Sequence, residues 1–452
     1  MPGTERQAAS TTALWLACFA GLSVVLRVSA ALYLGNDVTA QPGTADQLSY
    51  HLLALRVLGG HGFSFETGWW PATPAGEPTA HWSYLYVLFL AGVYKLAGPL
   101  PLVARLVQAL VVGLLQPLLT FAIARRLFGP RVGLVSAALV AGYAYFIYYA
   151  ATLMTESFFV LAVLWSLHVA LRLGQGDEPA AAGSWLRLGV ALSAAILLRQ
   201  AFLVCLPAIL LWVCWRRAGA AHDTSVSRFH VASLARGLGL TLLTIALAIV
   251  PWTLRNYRAF DRFVLLNTNA GFAFFWGNHP IHGRSFIPIL PGDGSRYGEL
   301  LPDDVRDLDE AAADRALLRK GLEFVAADPV RYAWLSVSRV REFVKFWPTP
   351  DSSRLSNAAR VLSFGVCAPF MLTGLVLLVF DRSIPFARAD HWLIVGVALV
   401  YSLTHVLTWT LVRYRLPVDA LFLPLAAWSL LRLFDRLAGR VRPVGGHILV
   451  AG

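Results

Sequence analysis

Two carboxylates follow apolar runs in a chain that carries few charges. Asp46 stands in Thr44-Ala45-Asp46-Gln47-Leu48-Ser49-Tyr50, beyond the apolar run 13–34. Glu156 closes Ala150-Ala151-Thr152-Leu153-Met154-Thr155-Glu156, beyond a second run and an aromatic ladder of Tyr143, Tyr145, Phe146, Tyr148 and Tyr149. A carboxylate within hydrogen-bond reach of a hydroxyl can take its proton as that oxygen attacks. Asp46 also precedes a helix-forming stretch, 47–58, where an acid can serve as a cap. The two readings are compatible, because a capped side chain is also a fixed one. Glu156 has the same pair of readings, helix start or site acid, and an ionisable group beside a span is costly unless hydrated or paired.

Cations of the right kind lie nearby in the topology. Arg255, in Pro251-Trp252-Thr253-Leu254-Arg255-Asn256-Tyr257, and Arg413 and Arg415, in Val412-Arg413-Tyr414-Arg415-Leu416-Pro417, oppose the trend of the other arginines. Arg199 joins them. Arginine forms forked, charge-assisted bonds to phosphate, so these four are candidates for a phosphate-binding set. Snorkelling at a membrane surface would place the same residue type there. Asn278 and His279, after Gly277, suit hydroxyl recognition, and Tyr50 and Asn256 are further candidates for substrate binding. Glu77 and His81 precede a short apolar run and complete the candidate substrate-binding residues. Asp46, Glu77, His81 and Glu156 lack any recognised metal spacing, which leaves a divalent metal open and no cofactor implied.

The elements that must carry these groups are membrane spans. Of 452 residues, 57% are hydrophobic and 14% charged. No soluble core hides that much apolar surface. Repeated apolar windows of about 20 residues predict an all-α polytopic membrane protein. The net charge of +12 then reflects inside loops and anionic lipid, with no nucleic-acid partner. Spans are expected near 13–34, 102–124, 132–150, 157–173, 186–198, 201–215, 237–253, 358–380, 391–411 and 416–433. Ten spans put Arg125, Arg126, Arg131, Arg172, Arg187, Arg216, Arg217, Arg228, Arg236, Arg382, Arg388, Arg432, Arg436, Arg440 and Arg442 on the N-terminal side, which is cytoplasmic by the positive-inside rule. Asp46, Glu156 and the contrary arginines then share the outer face.

Trp82 to Ala97 carries Lys95 and would invert every later cluster if it crossed, so it reads as a re-entrant or interfacial helix. Arg199 and Gln200 mark a tight turn between two short runs. The organisation expected is an N-terminal transmembrane module, 1–255, with a first outer loop, 35–101. An outer cap follows over 256–357, then C-terminal spans with a short cytoplasmic tail over 358–452. Within the cap, 309–325 repeats apolar residues at helical spacing and predicts an amphipathic helix. Cys18, Cys205, Cys214 and Cys367 all fall in or beside apolar runs and predict no disulfide framework. The first hydrophobic run reads as a retained span.

The ordered motifs resemble the GT-C superfamily of integral-membrane glycosyltransferases. The likeness is to bacterial glycosyltransferase family 39, protein O-mannosyltransferases and the ArnT-like aminoarabinose-lipid A transferases. It is carried by Ala45-Asp46-Gln47 with Tyr50, Thr79 to Tyr86, Arg105, Leu153-Met154-Thr155-Glu156, Pro251-Trp252 through Arg255-Asn256-Tyr257, Trp276-Gly277-Asn278, and Arg413-Tyr414-Arg415-Leu416-Pro417. The resemblance implies a GT-C-type fold and a hexosyl- or pentosyltransferase. Its donor would be a polyprenyl-phosphate sugar in the bilayer, and its acceptor an envelope glycan, lipid or protein hydroxyl. It further implies a bacterial inner-membrane location with the site facing the periplasm or exterior, Asp46 as the base that deprotonates or orients the acceptor, Glu156 as the catalytic acidic position after the third span, and attack with inversion. Gln47 stands where relatives often carry a second acid, and Pro78-Thr79-Ala80-His81 replaces a basic or paired-proline sequence. The competing class is a transporter or flippase of a polar or lipid-linked substrate, since broken spans and terminal charges also occur there.

Overall fold

The computed structural model describes residues 2–39, 43–71, 73–175, 181–219, 227–288, 295–350, 352–380 and 389–439. Arg382, Arg388, Arg440 and Arg442 lie outside them. The described elements are helices, with two isolated β-bridges, Ser64 to Pro78 and Trp69 to Thr73. In order they are α1 (Pro2–Leu34), α2 (Asp46–Leu58), α3 (Tyr84–Ala97), α4 (Pro101–Phe128), α5 (Pro130–Gly142), α6 (Ala144–Ala150), α7 (Glu156–Gly174), α8 (Ala182–Leu198), α9 (Leu206–Gly219) and α10 (Ser227–Phe260). The cap contributes α11 (Ala270–Asn278), α12 (Ser295–Glu299), α13 (Asp303–Arg306), α14 (Glu310–Ala327) and α15 (Pro329–Phe343). The chain closes with α16 (Arg354–Arg360), α17 (Val366–Phe380), α18 (Ala389–Leu407) and α19 (Leu416–Leu437).

Among the described residues, eight helices are long and apolar enough to cross a membrane, or nine if α5 and α6 count as one span bent by 55°. The protein is therefore a multi-pass membrane protein. The expected span 186–198 is the 17-residue α8. At 1.5 Å per residue it rises roughly 26 Å, short of a hydrocarbon core of about 30 Å. It ends at Arg199, and a 3-10 turn, Gln200–Cys205, leads into α9. That is the tight turn anticipated between the two runs. The described residues thus hold eight or nine spans where ten were expected, and α8 is the expected span that falls short.

The opposite end of the bundle is basic and pinned by ion pairs. Arg131 meets Asp435, and Arg216 meets Asp390. Arg217 donates to the Leu173 carbonyl at the end of α7. These contacts gather the ends of α5, α7, α9, α18 and α19 away from the loops that hold Asp46 and Glu156.

α3 is too short to span, and it is not an isolated surface helix. Tyr84, Tyr86, Val87, Leu90 and Tyr94 are buried against α2, α4 and α8. Ser83 starts the helix by accepting from the Tyr86 amide and donates to the Leu197 carbonyl at 2.8 Å, which fixes α3 to the end of α8. α14 covers the predicted amphipathic stretch, and its N-cap Asp309 accepts from the Ala312 amide. It packs on α11 so closely that a Cβ on Gly271 would collide with the Asp314 carbonyl oxygen.

The break between α5 and α6 leaves carbonyls that the bilayer cannot satisfy. Arg27, wholly buried on α1, supplies donors to Val140 O and Ala141 O at 3.2 and 3.3 Å and also reaches Gln116 Oε1. Broken helices survive at membrane depth where such side chains re-satisfy the freed backbone. The break turns α6 toward the loop that carries Glu156.

Candidate active site

The two acids are delivered by loops anchored on one helix. Arg105 of α4 donates to the carbonyls of Leu34, Gly35 and Asp37 and to Gln47 Oε1. Gln47 in turn donates to Thr39 O at 2.6 Å. This ties down the chain between α1 and α2. Three residues further along α4, Gln108 Nε2 donates to the carbonyls of Tyr149, Ala150 and Thr152 at 3.2, 2.9 and 2.8 Å. Gln108 Oε1 accepts from the Tyr86 hydroxyl of α3 at 2.9 Å. The second loop, which ends in Glu156, is thereby fixed to the same helix. Polar side chains inside a span are expensive unless they do such work.

Asp46 occupies the first turn of α2, but its carboxylate caps nothing there. Instead Asp46 Oδ2 accepts from Arg413 Nη2 at 2.6 Å. Arg413 Nε lies 3.5 Å from Glu156 Oε1, and Arg199 donates to that same oxygen. Arg413 Nη1 adds a bond to the Gly43 carbonyl. The result is a chain of alternating charge: Asp46, Arg413, Glu156, Arg199. The Arg199 guanidinium also lies over the Tyr414 ring at 4.8 Å, and Arg413 over it at 5.4 Å. Glu156 is 2% exposed and its Oε2 is buried with no partner among the described residues. The Asp46 side chain keeps 27% of its surface open. One acid is thus reachable from outside and the other is sealed beneath it.

Tyr50 stands one turn after Asp46, edge-on to Trp82 and Tyr86. Burial first, then the charge of Asp46, pushes its phenol above the usual range, so the proton stays on. His81 is buried among Trp70, Trp82 and Phe272. Burial lowers its pKa, with Glu310 and Asp46 opposing. Its Nδ1 has no partner among the described residues.

Other expected members are brought elsewhere. Arg255 donates to Thr79 O at 2.8 Å and Phe63 O at 3.1 Å, and so ties the first loop to α10. Asn256 is fully buried, accepting from the Tyr84 hydroxyl and donating to Val264 O and Leu266 O. Asn278 Oδ1 accepts from Arg339 at 2.7 Å, and His279 Nδ1 accepts from the Ile281 amide. Arg415 points into the bundle, paired with Asp419 at 2.9 Å and donating to Phe343 O. Glu77 is exposed in a turn whose amide donates to Pro74 O. These groups hold backbone or lie outside the cluster. The acid that the first loop does bury is Glu310, from the cap. It accepts from Thr73 Oγ1 at 2.6 Å, the Ala80 amide at 2.7 Å and Thr268 Oγ1. Gln108 and Glu310 escaped the sequence reading. The spacing of Gln108 one turn from Arg105 in an apolar span was the signal available for the first.

No group of three or more His, Cys, Asp or Glu among the described residues is placed to hold a metal ion. The acids here face guanidinium groups, which supply the counter-charge locally.

Residues 82–252 match the family model for dolichyl-phosphate-mannose-protein mannosyltransferase. The fold is similar to the oligosaccharyltransferase of Archaeoglobus fulgidus in its apo form, with a TM-score of 0.58 and 16% identity, covering 95% of this chain and 51% of that one. A second structure, AglB from Archaeoglobus fulgidus with an inhibitory peptide and a dolichol-phosphate, gives 0.57 and 16%, covering 96% and 52%. ArnT from Cupriavidus metallidurans bound to undecaprenyl phosphate gives 0.39 and 14%, covering 96% and 83%. The chain spans about half the length of the archaeal oligosaccharyltransferase. Among curated proteins, none matches it.

The likeness to the archaeal oligosaccharyltransferase is one of fold, and the likeness to the mannosyltransferase family lies in residues 82–252. That matched segment begins just before α3 and ends within α10.

Proposed function

We propose that the protein transfers a sugar, hexosyl or pentosyl, from a polyprenyl-phosphate donor to a hydroxyl of an envelope glycan, lipid or protein. The site faces the outer side of a bacterial inner membrane. The observation that carries this reading is Arg413, held between an accessible carboxylate, Asp46, and a buried one, Glu156. The family match and the dolichol-phosphate held by the archaeal relative support the donor class.

In this reading the donor phosphate competes with Asp46 for Arg413. A guanidinium that turns to the phosphate leaves Asp46 free to take the acceptor's proton. The acceptor oxygen then bonds to the anomeric carbon, the bond from that carbon to the phosphate oxygen breaks with inversion, and the electron pair leaves on polyprenyl phosphate. Arg413 stabilises the departing charge, as preorganised donors do where charge develops. Glu156 stays ion-paired to Arg199 and keeps Arg413 within reach after it releases Asp46. Of the four arginines expected at the phosphate, Arg413 and Arg199 fit this role. Arg255 and Arg415 hold the scaffold.

The test is transfer from defined polyprenyl-phosphate sugars by full-length protein in vesicles. Asp46→Asn keeps the size of the side chain and should lower the rate by about 10²–10⁴-fold. Undiminished transfer by Asp46→Asn would remove the base role. Vectorial movement of the lipid without new glycosidic bonds would favour the transporter class.

A further inference from the structure

α15 buries Arg339 beside Leu335 and Phe343 and turns a second, apolar stripe outward. A helix on a water-facing surface turns its apolar stripe inward. Here Arg339 is wholly buried, donating to Gly277 O and Asn278 Oδ1. Arg331 donates to the carbonyls of Gly283, Asn278 and His279. Ser338 Oγ accepts from the Phe286 amide. The outward stripe, at helical spacing, is Val330, Trp334 and Val337, exposed by 61%, 54% and 60%, followed by Arg341 and then Val344. In water such a face would be an unpartnered apolar patch.

We propose that this face lies in the outer leaflet of the bilayer, as a membrane-surface helix of the cap, and not in water or against a protein. Two observations select lipid. First, α15 sits on the last turn of a candidate span: Tyr332 donates to Leu407 O at 3.0 Å and Arg339 to Val406 O at 3.3 Å. That span exposes Leu399, Leu403 and Leu407. Second, the only break in the stripe is Arg341, whose guanidinium stacks over Trp347 at 5.5 Å. A cation and an indole together suit the phosphate headgroup level, where an arginine stem stays in apolar surroundings and its charge reaches water. A buried protein contact would leave that charge to be paired.

The placement has a consequence for the candidate site. Arg415 donates to Phe343 O and Lys345 O at the end of α15, and Arg413 is two residues away in the same turn. The bilayer thus acts on the turn that presents Arg413, through the helix it anchors. The lipid contact itself does not depend on which reaction the site performs.

The experiment uses full-length protein in phosphatidylcholine–phosphatidylglycerol nanodiscs, its four native cysteines replaced by alanine. Nitroxide labels are placed on Trp334→Cys and Val337→Cys, with Asp303→Cys, a fully exposed position, as reference. The expected result is a ratio of oxygen to nickel-complex collision several-fold higher at 334 and 337 than at 303. Nickel access equal to that at 303 would overturn the proposal in favour of water. Exclusion of both reagents would overturn it in favour of a protein cover. A second measurement needs no cysteine replacement. In vesicles of brominated phosphatidylcholine, the emission lost between the native protein and Trp334→Phe should be a quenched component. An unquenched difference would count against lipid contact.

Discussion

Arg413 and Arg415 stand two residues apart in one 3-10 turn and end in different regions. Arg413 joins Asp46, partly open to the outside, to buried Glu156. Arg415 joins Asp419, which is 1% exposed and also accepts from the Tyr143 hydroxyl at 2.7 Å. Both pairs are close and charge-assisted. The difference lies in what can reach them. Around Arg415 the partners are backbone and an enclosed acid, and the Phe364 ring lies 3.4 Å from the guanidinium carbon. Around Arg413 one partner is exchangeable. A short ion pair therefore marks a site only when one of its members can be traded for a ligand.

Breaking each pair separates the two cases. Arg415→Ala leaves Asp419 charged in a closed niche, and losing one partner of such a pair costs about 3–5 kcal/mol. The expected outcome is a lower thermal midpoint and less monodisperse protein, with the specific activity of the folded fraction retained. If activity per folded molecule collapsed instead, Arg415 would belong to the site after all. Arg413→Ala should behave in the opposite way. The rate is expected to fall by about 10²–10³-fold while the thermal midpoint moves far less than for Arg415→Ala. Equal stability losses in the two variants would erase the distinction.

Gln108→Ala sharpens the comparison by moving the acids and leaving their charge alone. It removes the donor to three carbonyls in the loop before Glu156. A small misplacement of a reacting group can cost up to about 10²-fold, so a roughly tenfold drop in kcat with KM little changed is expected. A change in KM alone would argue against a positioning role.

A further test concerns a partly buried acid of the cap, outside the acid–arginine chain. Asp314 in the cap accepts from the Phe272 amide at 3.0 Å, and burial raises its pKa to about 7 from 3.8. Between these values the folded state holds more protons than the unfolded one. Stability contributed there should fall as pH rises from about 4 to about 7, by at most about 1.4 kcal/mol per pH unit. Thermal unfolding followed from pH 5 to pH 8 measures it. Asp314→Asn should flatten the dependence, and an unchanged slope would place its origin elsewhere.

Much of this was legible in the residues. Apolar length found all the spans but counted the short α8 among them, Lys95 with a short run demoted α3, and Asp46, Glu156, Arg199 and Arg413 were expected at one end. The roles of Arg255, Asn256, Asn278, His279 and Arg415 were not legible, for a physical reason. A polar group that resists the membrane trend is drawn equally by a phosphate and by unpaired carbonyls at broken helix ends. The sequence does not display those carbonyls, because they are created by the tertiary fold. Glu77 and Glu310 make the same point. Both are acids in polar stretches, but only Glu310 meets three donors that converge from Thr73, Ala80 and Thr268. That convergence joins segments more than 200 residues apart in sequence, beyond any local pattern.

Both acid-bearing loops are hung from α4, one from Arg105 and the other from Gln108. Lipid bilayers differ in thickness, and helices answer by tilting or sliding. Had each loop been tied to its own span, every such adjustment would alter the separation of the two carboxylates. Referred to neighbouring turns of a single helix, they travel as one body. The spacing is thereby insulated from the thickness of the membrane around it, and activity should vary little across phosphatidylcholines of different chain length.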